Sequence, residues 1–251
     1  MTTKTEFEWR RLRAEQVREA AGGDTVVILP LAALEQHGPH LPVEADAVLA
    51  EAVALGTARA MSARGGRALV LPVLWAGISE HHMSFGGTVT LDAATFIAVV
   101  GQVCRSVARH GFRRIVLLNG HGGNEWAMRV AADDLTPALG LPVVGLTYWN
   151  VAADAIAAVL TAQARLLHAC EAETSMMQAL RPDLVAADRI PPMQPLPQAT
   201  SGVHRWRTLA AVSPVGVIGD PAAASAEKGH RLLAVIADAV ADALLRPALW
   251  Q

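Results

Sequence analysis

RRIVLLNGHGGNEWAMRVAADDL (113–135) holds the reading that decides the fold. Its first seven residues, RRIVLLN (113–119), make an apolar, partly β-branched run that reads as a buried strand. GHGGN (120–124) reads as a turn, and EWAMRVAADDL as a helix. The same alternation continues outward in both directions. TVVILPL (25–31), RALVLPVL (67–74) and LPVVGLTYW (141–149) supply three more strands. Helices are expected from Ala47 to Met61, with Asp46 as N-cap, and over 91–110, where Gly111 gives the stop signal. Four strands alternating with helices imply parallel βαβ units, hence an α/β fold: a three-layer α-β-α sandwich with a mainly parallel central sheet. Beyond residue 150 the chain reads as helical and Ala-rich. It is broken by a proline-rich loop (190–202) and a loop or edge segment (213–221), and a last helix starts at Ala226.

Composition narrows the function classes. A chain of 251 residues with 52% hydrophobic and 18% charged residues can bury a large core, and 1–251 reads as a single domain. The net charge of −2, with no run of Lys or Arg, gives nucleic-acid binding little electrostatic support. No stretch reaches the ~18–20 apolar residues of a membrane span, and the polar N-terminus lacks a signal-peptide pattern. Two cysteines, Cys104 and Cys170, are too few for a disulfide framework, so a cytoplasmic protein is expected.

The chemistry gathers at strand ends, where open α/β sheets bind ligands. Glu35, Gln36, His37 and His40 follow the first strand, with Asp46 just beyond; His121 sits in the turn after the third. A third segment, HACEAETS (168–175), enters a helix carrying His168, Glu171 and Glu173. Carboxylates with imidazoles are the ligand set of Zn²⁺, Mn²⁺ or Fe²⁺. Glu35 and His37 share one side of an extended strand end. A carboxylate at Asp46 could bridge two ions, which such sites hold ~3.5–4 Å apart. Each residue also has a plain reading. Asp46 could simply cap a helix, Glu173 could favour a helix N-terminus, and His37 and His40 could be surface loop residues. His168 could be a satisfied core histidine, and GHGGN an anion-cradling turn.

LPLAALEQHGPHLPVEAD (29–46) resembles the opening signature of the creatininase (creatinine amidohydrolase) family. GISEHHMSFGGTVTL (77–91), LLNGHGGN (117–124), HACEAETSMM (168–177) and GVIGDPAAASAEKG (216–229) continue the resemblance in the family's order. The resemblance implies an α-β-α sandwich, a hexameric assembly, a small-molecule amide substrate and a binuclear centre of Zn²⁺ and/or Mn²⁺, with Fe²⁺ as a further choice. It implies Glu35, His37, Asp46, His121 and Glu173 as metal ligands, with Asp46 as the bridge. His168 would be the catalytic acid for the leaving group and Glu171 a second catalytic candidate. Ser79, His81, Gly122 and Trp149 would line the substrate side.

The family's creatinine hydrolase carries a Tyr-Glu pair where this chain has Gly122-Gly123, and a tryptophan shortly before its counterpart of His168, where this chain has Arg165, Leu166 and Leu167. The expected activity is therefore metal-dependent hydrolysis of a non-peptide or cyclic amide C–N bond by metal-activated water, with creatinine an improbable substrate. Family deformylase and peptidase activities are the alternatives. Two readings from other classes compete: a non-catalytic anion- or nucleotide-binding module using the Gly120–Asn124 turn, and a structural metal site. The first lacks a G-x-G-x-x-G or Walker sequence, and the second is normally rich in cysteine.

Overall fold

The computed structural model describes residues 5–194, 196 and 205–251. Part of the proline-rich segment 190–202 lies outside the described residues. Strands β1 (Val26–Leu31), β2 (Ala68–Val70), β3 (Arg114–Asn119) and β4 (Val143–Thr147) form one sheet in the order β2-β1-β3-β4, and every pairing is parallel. Neighbouring parallel strands need crossovers, and helices supply them. Helix α1 (Ala14–Ala20) precedes the sheet; α2 (Ala45–Ala63) joins β1 to β2, α3 (Ala93–Arg109) joins β2 to β3, and α4 (Glu125–Leu139) joins β3 to β4.

Side-chain alternation splits the strands between two cores. Val26, Ile28, Val116 and Leu118 pack against α2 and the helices that follow β4: α5 (Tyr148–Val151), α6 (Ala153–Ala157), α7 (Glu171–Leu180) and α8 (Ala226–Leu244). Val27, Leu29, Ile115 and Leu117 face α3 and α4 through Phe96, Val100, Met128 and Leu135. A strand buried on both faces has no need of polar alternation, which is why VVILPL and RIVLLN are nearly continuous apolar runs.

The winding of the chain places the site. From β1 the chain steps to β2 on one side through α2, then crosses over to β3 on the other side of β1 through α3. The loops leaving the carboxyl ends of β1 and β3 turn to opposite faces, and a crevice opens between them. Such a switch point is where open α/β sheets bind ligands.

Three boundaries differ from the sequence reading. Helix α2 begins at Ala45 with Glu44 at the N-cap and no side-chain cap bond, so Asp46 is not the cap; it is buried in the first turn. The second strand is only 68–70 rather than 67–74, since Pro72 has no N–H to continue the ladder. The fourth stops at Thr147 rather than 149: its partner Asn119 is the last residue of β3, and the chain then coils into α5. The segment 213–221 meets the fold through Ile218, whose N–H donates to His168 O at 2.9 Å, and Gly219, which bridges to Gln194. Among the described residues no helix is long and apolar enough to cross a membrane.

Helices α7 and α8 are tied by a partly buried ion pair. Glu171 Oε1 accepts from Lys228 Nζ at 2.6 Å and from Thr161 N and Oγ1 at 2.9 Å each, while Oε2 accepts from Ala162 N at 2.9 Å. Burial alone would raise the Glu171 pKa, but Lys228 and these donors hold it below the ordinary carboxylate range. A depressed folded-state pKa gives stability that is complete above the unfolded value and fades as pH falls through the folded one. Lys228→Met removes the counter-charge of this carboxylate but leaves its three other donors, so it should cost about 1.5–3 kcal/mol at neutral pH. Urea midpoints measured from neutral to acid pH check this. The gap between variant and wild type should narrow on acidification, and a pH-independent gap would place the loss elsewhere.

Candidate metal centre

The crevice between β1 and β3 holds a cavity of about 250 Å³, lined on its polar side by Glu35, Asp46, His81, His82, His121, His168 and Glu173. Trp149, Leu166, Leu167, Leu209 and Ile218 make the apolar wall.

Asp46 is at the centre. Its Oδ1 lies 3.1 Å from His37 Nε2, and its Oδ2 lies 3.1 Å from His121 Nδ1. One carboxylate thus faces two imidazoles, one from each loop. Glu35 Oε1 stands 3.3 Å from the same His121 nitrogen, and Glu173 Oε2 stands 3.9 Å from His37 Nε2. Ligand-capable atoms of His37, Asp46 and Glu173 lie within 4.8 Å of one another, as do those of Glu35, His81 and His121, and those of Glu35, His37 and His168.

Each ring is oriented from behind. His121 Nε2 lies 3.0 Å from Ile78 O; a proton there donates to that carbonyl and leaves Nδ1 free to face the carboxylates. The Asn119 side chain clamps the His121 backbone, donating to His121 O at 2.8 Å and accepting from His121 N at 3.1 Å. His37 Nδ1 lies 3.1 Å from Glu35 O, leaving Nε2 to face Asp46. Glu173 Oε2 accepts from Ala169 N at 2.5 Å, and Ala169 is held at φ 51, a left-handed conformation a non-glycine residue adopts only where its surroundings demand it.

Glycine is required at two positions here. A Cβ on Gly123 would sit 2.1 Å from Ile78 O and 2.5 Å from His121 Nε2. A Cβ on Gly120 would press on Ala50 at 2.8 Å, where the turn crosses α2. Gly122 by contrast lines the cavity, and a Cβ there would meet nothing within 4 Å.

The electrostatics follow from three carboxylates packed with histidines out of water. Burial would lower the His37 pKa, but Asp46, then Glu173 and Glu35, lift it to about 10. Burial, together with the neighbouring Asp46 and Glu35 carboxylates, raises Glu173 to about 8 even though His37 opposes the shift. Asp46 is held well below the carboxylate range by His37 and His121 against its own burial. His82 is pushed down to about 3, chiefly by burial, and His168 well below its ordinary value by burial and then by His37, His82 and His121.

The donor set suits divalent cations. His37 Nε2 and Asp46 Oδ2 are buried, and the ring and carboxylate atoms 3.1 Å from them do not meet them in hydrogen-bonding geometry, although buried polar atoms are almost always paired. The carboxylates that draw a proton onto His37 would draw a divalent ion in the same way.

Glu35, His37, Asp46, His121, Glu173 and His168 therefore come together, with His81, Gly122 and Trp149 on the cavity wall. Two expected residues are placed elsewhere. Glu171 is turned away and spent on Lys228 and the 161–162 backbone. Ser79 is buried behind the site, where its hydroxyl donates to Glu35 Oε2 at 2.8 Å. His37 and His40 are buried, not surface loop residues; His40 Nε2 bonds Thr174 Oγ1 at 2.8 Å. Sequence reasoning passed over His82, whose Nε2 lies 3.5 Å from Glu35 Oε1, and Gln36. The tandem His81-His82, directly after Ser79 and Glu80, was the available signal.

A family model described as Creatininase: Creatinine amidohydrolase matches residues 10–244. The chain is 35% identical to creatinine amidohydrolase from Pseudomonas putida, over 95% of this chain and 94% of the relative. It is 34% identical to a mycofactocin precursor peptide peptidase from Mycobacterium ulcerans (strain Agy99), over 89% of this chain and 85% of the relative. The fold superposes on a crystal structure of creatinine amidohydrolase with a TM-score of 0.84 and 32% identity, covering 96% of this chain and 97% of that one. A manganese form (31% identity, 95% and 97% covered) and a Zn–Zn form of a creatininase variant (32%, 96% and 97%) each superpose with a TM-score of 0.81.

At neutral pH His37 and Glu173 carry protons that a metal must displace, since their values stand at about 10 and about 8. Metal uptake should release protons and strengthen as pH rises from neutral towards those values. Calorimetric titration of metal-free protein in buffers of different ionisation enthalpy reads this directly. Asp46→Ala should abolish uptake of both ions. Proton-neutral, pH-independent uptake would remove His37 and Glu173 from the ligand set.

Proposed function

The chain belongs to the creatininase family, and on that premise we propose that it is a two-metal hydrolase of a small non-peptide or cyclic amide. The observation that carries this reading is the Asp46 carboxylate, with one oxygen toward each of two buried histidines. In this reading Glu35, Asp46 and His121 hold one ion, and His37, Asp46 and Glu173 hold the other. Zn²⁺ and Mn²⁺ are favoured by the solved relatives, and Fe²⁺ suits the same donors. Ions bound there supply Lewis acidity at a carbonyl and a nucleophilic water near neutral pH.

The chain's own residues do the rest. Trp149, Leu166, Leu167, Leu209 and Ile218 hold the apolar part of the substrate and exclude water from the polar floor. His168 handles the proton of the leaving amine. Its Nε2 lies 3.0 Å from Gln36 O, and its Nδ1 lies 3.6 Å from Glu35 Oε1 on the cavity side. Burial and the neighbouring histidines keep this ring neutral at rest, so it accepts a proton before donating one.

Creatinine itself is not the proposed substrate. The open space beside Gly122 offers no side chain to contact so small a ring, and a side chain at Gly123 would collide with Ile78 O. Here Glu173, from α7, supplies the acidic ligand. A single-domain, cytoplasmic enzyme assembled as a hexamer is the accompanying proposal, in line with the family resemblance.

A metal-reconstituted activity panel across cyclic amides, formamides and short peptides tests the function. Turnover should be found among cyclic or other non-peptide amides and be negligible for creatinine. Efficient creatinine or peptide hydrolysis would overturn the substrate class, and full activity without metal would overturn the mechanism. His168→Gln should retain both ions yet lose about 10²–10⁴-fold in kcat, with the smallest loss for substrates whose leaving group needs no proton. Equal losses for activated and ordinary substrates would sink the acid assignment.

A further inference from the structure

The Gln36 side chain is buried between the loop after β1 and the distant 213–221 segment, and its amide has only one orientation that satisfies its neighbours. Gly38 N–H can only donate, and it lies 2.9 Å from Oε1. Gly216 O can only accept, and it lies 3.2 Å from Nε2. Oxygen and nitrogen of the amide are thereby assigned by their partners. The packing is close: Gly216 has φ 71, and a Cβ on it would lie 2.1 Å from Gln36 Oε1.

That orientation has consequences for two histidines. Gln36 Nε2 lies 2.9 Å from His82 Nδ1. An amide nitrogen only donates, so His82 Nδ1 must accept and the proton of that ring sits on Nε2. His82 Nε2 faces Glu35 Oε1 at 3.5 Å, opposite the Ser79 hydroxyl on Oε2. The two amide hydrogens are then used by His82 Nδ1 and Gly216 O. None remains for His168 Nε2, 3.1 Å from the same nitrogen, but that atom can donate to Gln36 O at 3.0 Å. The other ring nitrogen, His168 Nδ1, then carries no proton and stands on the cavity side, 3.6 Å from Glu35 Oε1.

We infer that Gln36 is a positioning residue whose side-chain amide fixes which ring nitrogen carries the proton on His82, while its backbone carbonyl does the same for His168. In doing so it holds a donor against Glu35 and the proton-accepting nitrogen of His168 toward the substrate. The consequence for turnover rests on the hydrolytic reading of this site; the assignment of the protons does not.

The test uses full-length protein with ¹⁵N-labelled histidine, loaded with Zn²⁺, and two variants. Gln36→Met removes both amide functions at similar volume. Gln36→Glu keeps the acceptor for Gly38 N–H and removes the donor to His82 and Gly216. Long-range ¹H–¹⁵N correlation should show His82 and His168 of the wild type protonated at Nε2 alone. In both variants His82 should lose that single form, and kcat should fall about 10–100-fold, the range typical for partners behind a metal site, with KM and metal content little changed. A His82 still protonated at Nε2 alone in Gln36→Glu would overturn the inference, whatever happens to turnover. Gln36→Met losing metal or melting early with His82 still protonated at Nε2 would overturn it too. If the wild type hydrolysed no amide, the proposed function would fall while the tautomer measurement still decided the role of Gln36.

Discussion

Glu35, Asp46 and Glu173 place three buried carboxylates side by side, and that arrangement is tenable only with positive charge among them. An ionised carboxylate taken out of water is costly unless it is paired, and like charges at this range oppose one another's ionisation. His37 and His121, interleaved with the acids, supply that charge in the metal-free protein, which is why their pKa values rise despite burial. The neighbouring histidines that are not so interleaved, His82 and His168, are driven the other way. One cluster therefore contains both cation-seeking and proton-poor imidazoles, separated by whether the ring also faces Asp46.

Much else in the chain serves to hold that cluster in place. The reversal in strand order opens the crevice, and the apolar strands carry the loops that fill it. Asn119, Ser79 and Ile78 O fix cluster residues from behind, Asn119 through two backbone atoms of His121 and the others through one atom each. Gly120 and Gly123 let the turn after β3 lie against α2 and under Ile78 without a side chain in between. Such outer contacts keep a site accurate to fractions of an ångström, which oxygen and nitrogen ligands at the end of flexible side chains cannot do alone.

The sequence made most of this legible. The apolar runs 25–31 and 113–119 announced doubly buried strands, and the ligand-type residues stood just past their ends. Boundaries were less visible because they depend on partners: β4 stops where β3 runs out, which no local pattern in LPVVGLTYW encodes. Asp46 could be read as a cap or as a ligand, since both put an acid in the first turn of a helix; the choice rests on what lies opposite. Glu171 and Glu173 show the same limit. Two residues apart on a helix, they point to roughly opposite sides, about 200° around the axis. One meets Lys228 and the other the cavity, and the sequence alone does not say which. His82 was missed because adjacent histidines look equivalent until the turn that carries them is seen.

With the proposed acidic ligand Glu173 on α7, chain order sets the order in which the proposed centre can be assembled. Glu35, Asp46 and His121 are all on the chain by the turn that follows β3, and His37 with them. Glu173 follows only after β4 and two short helices, on a helix that packs against the last one in the chain. During synthesis the emerging protein would therefore possess the proposed set for one ion well before the other. The second half of the centre is a property of the finished fold, closed only when the C-terminal helix pair has docked.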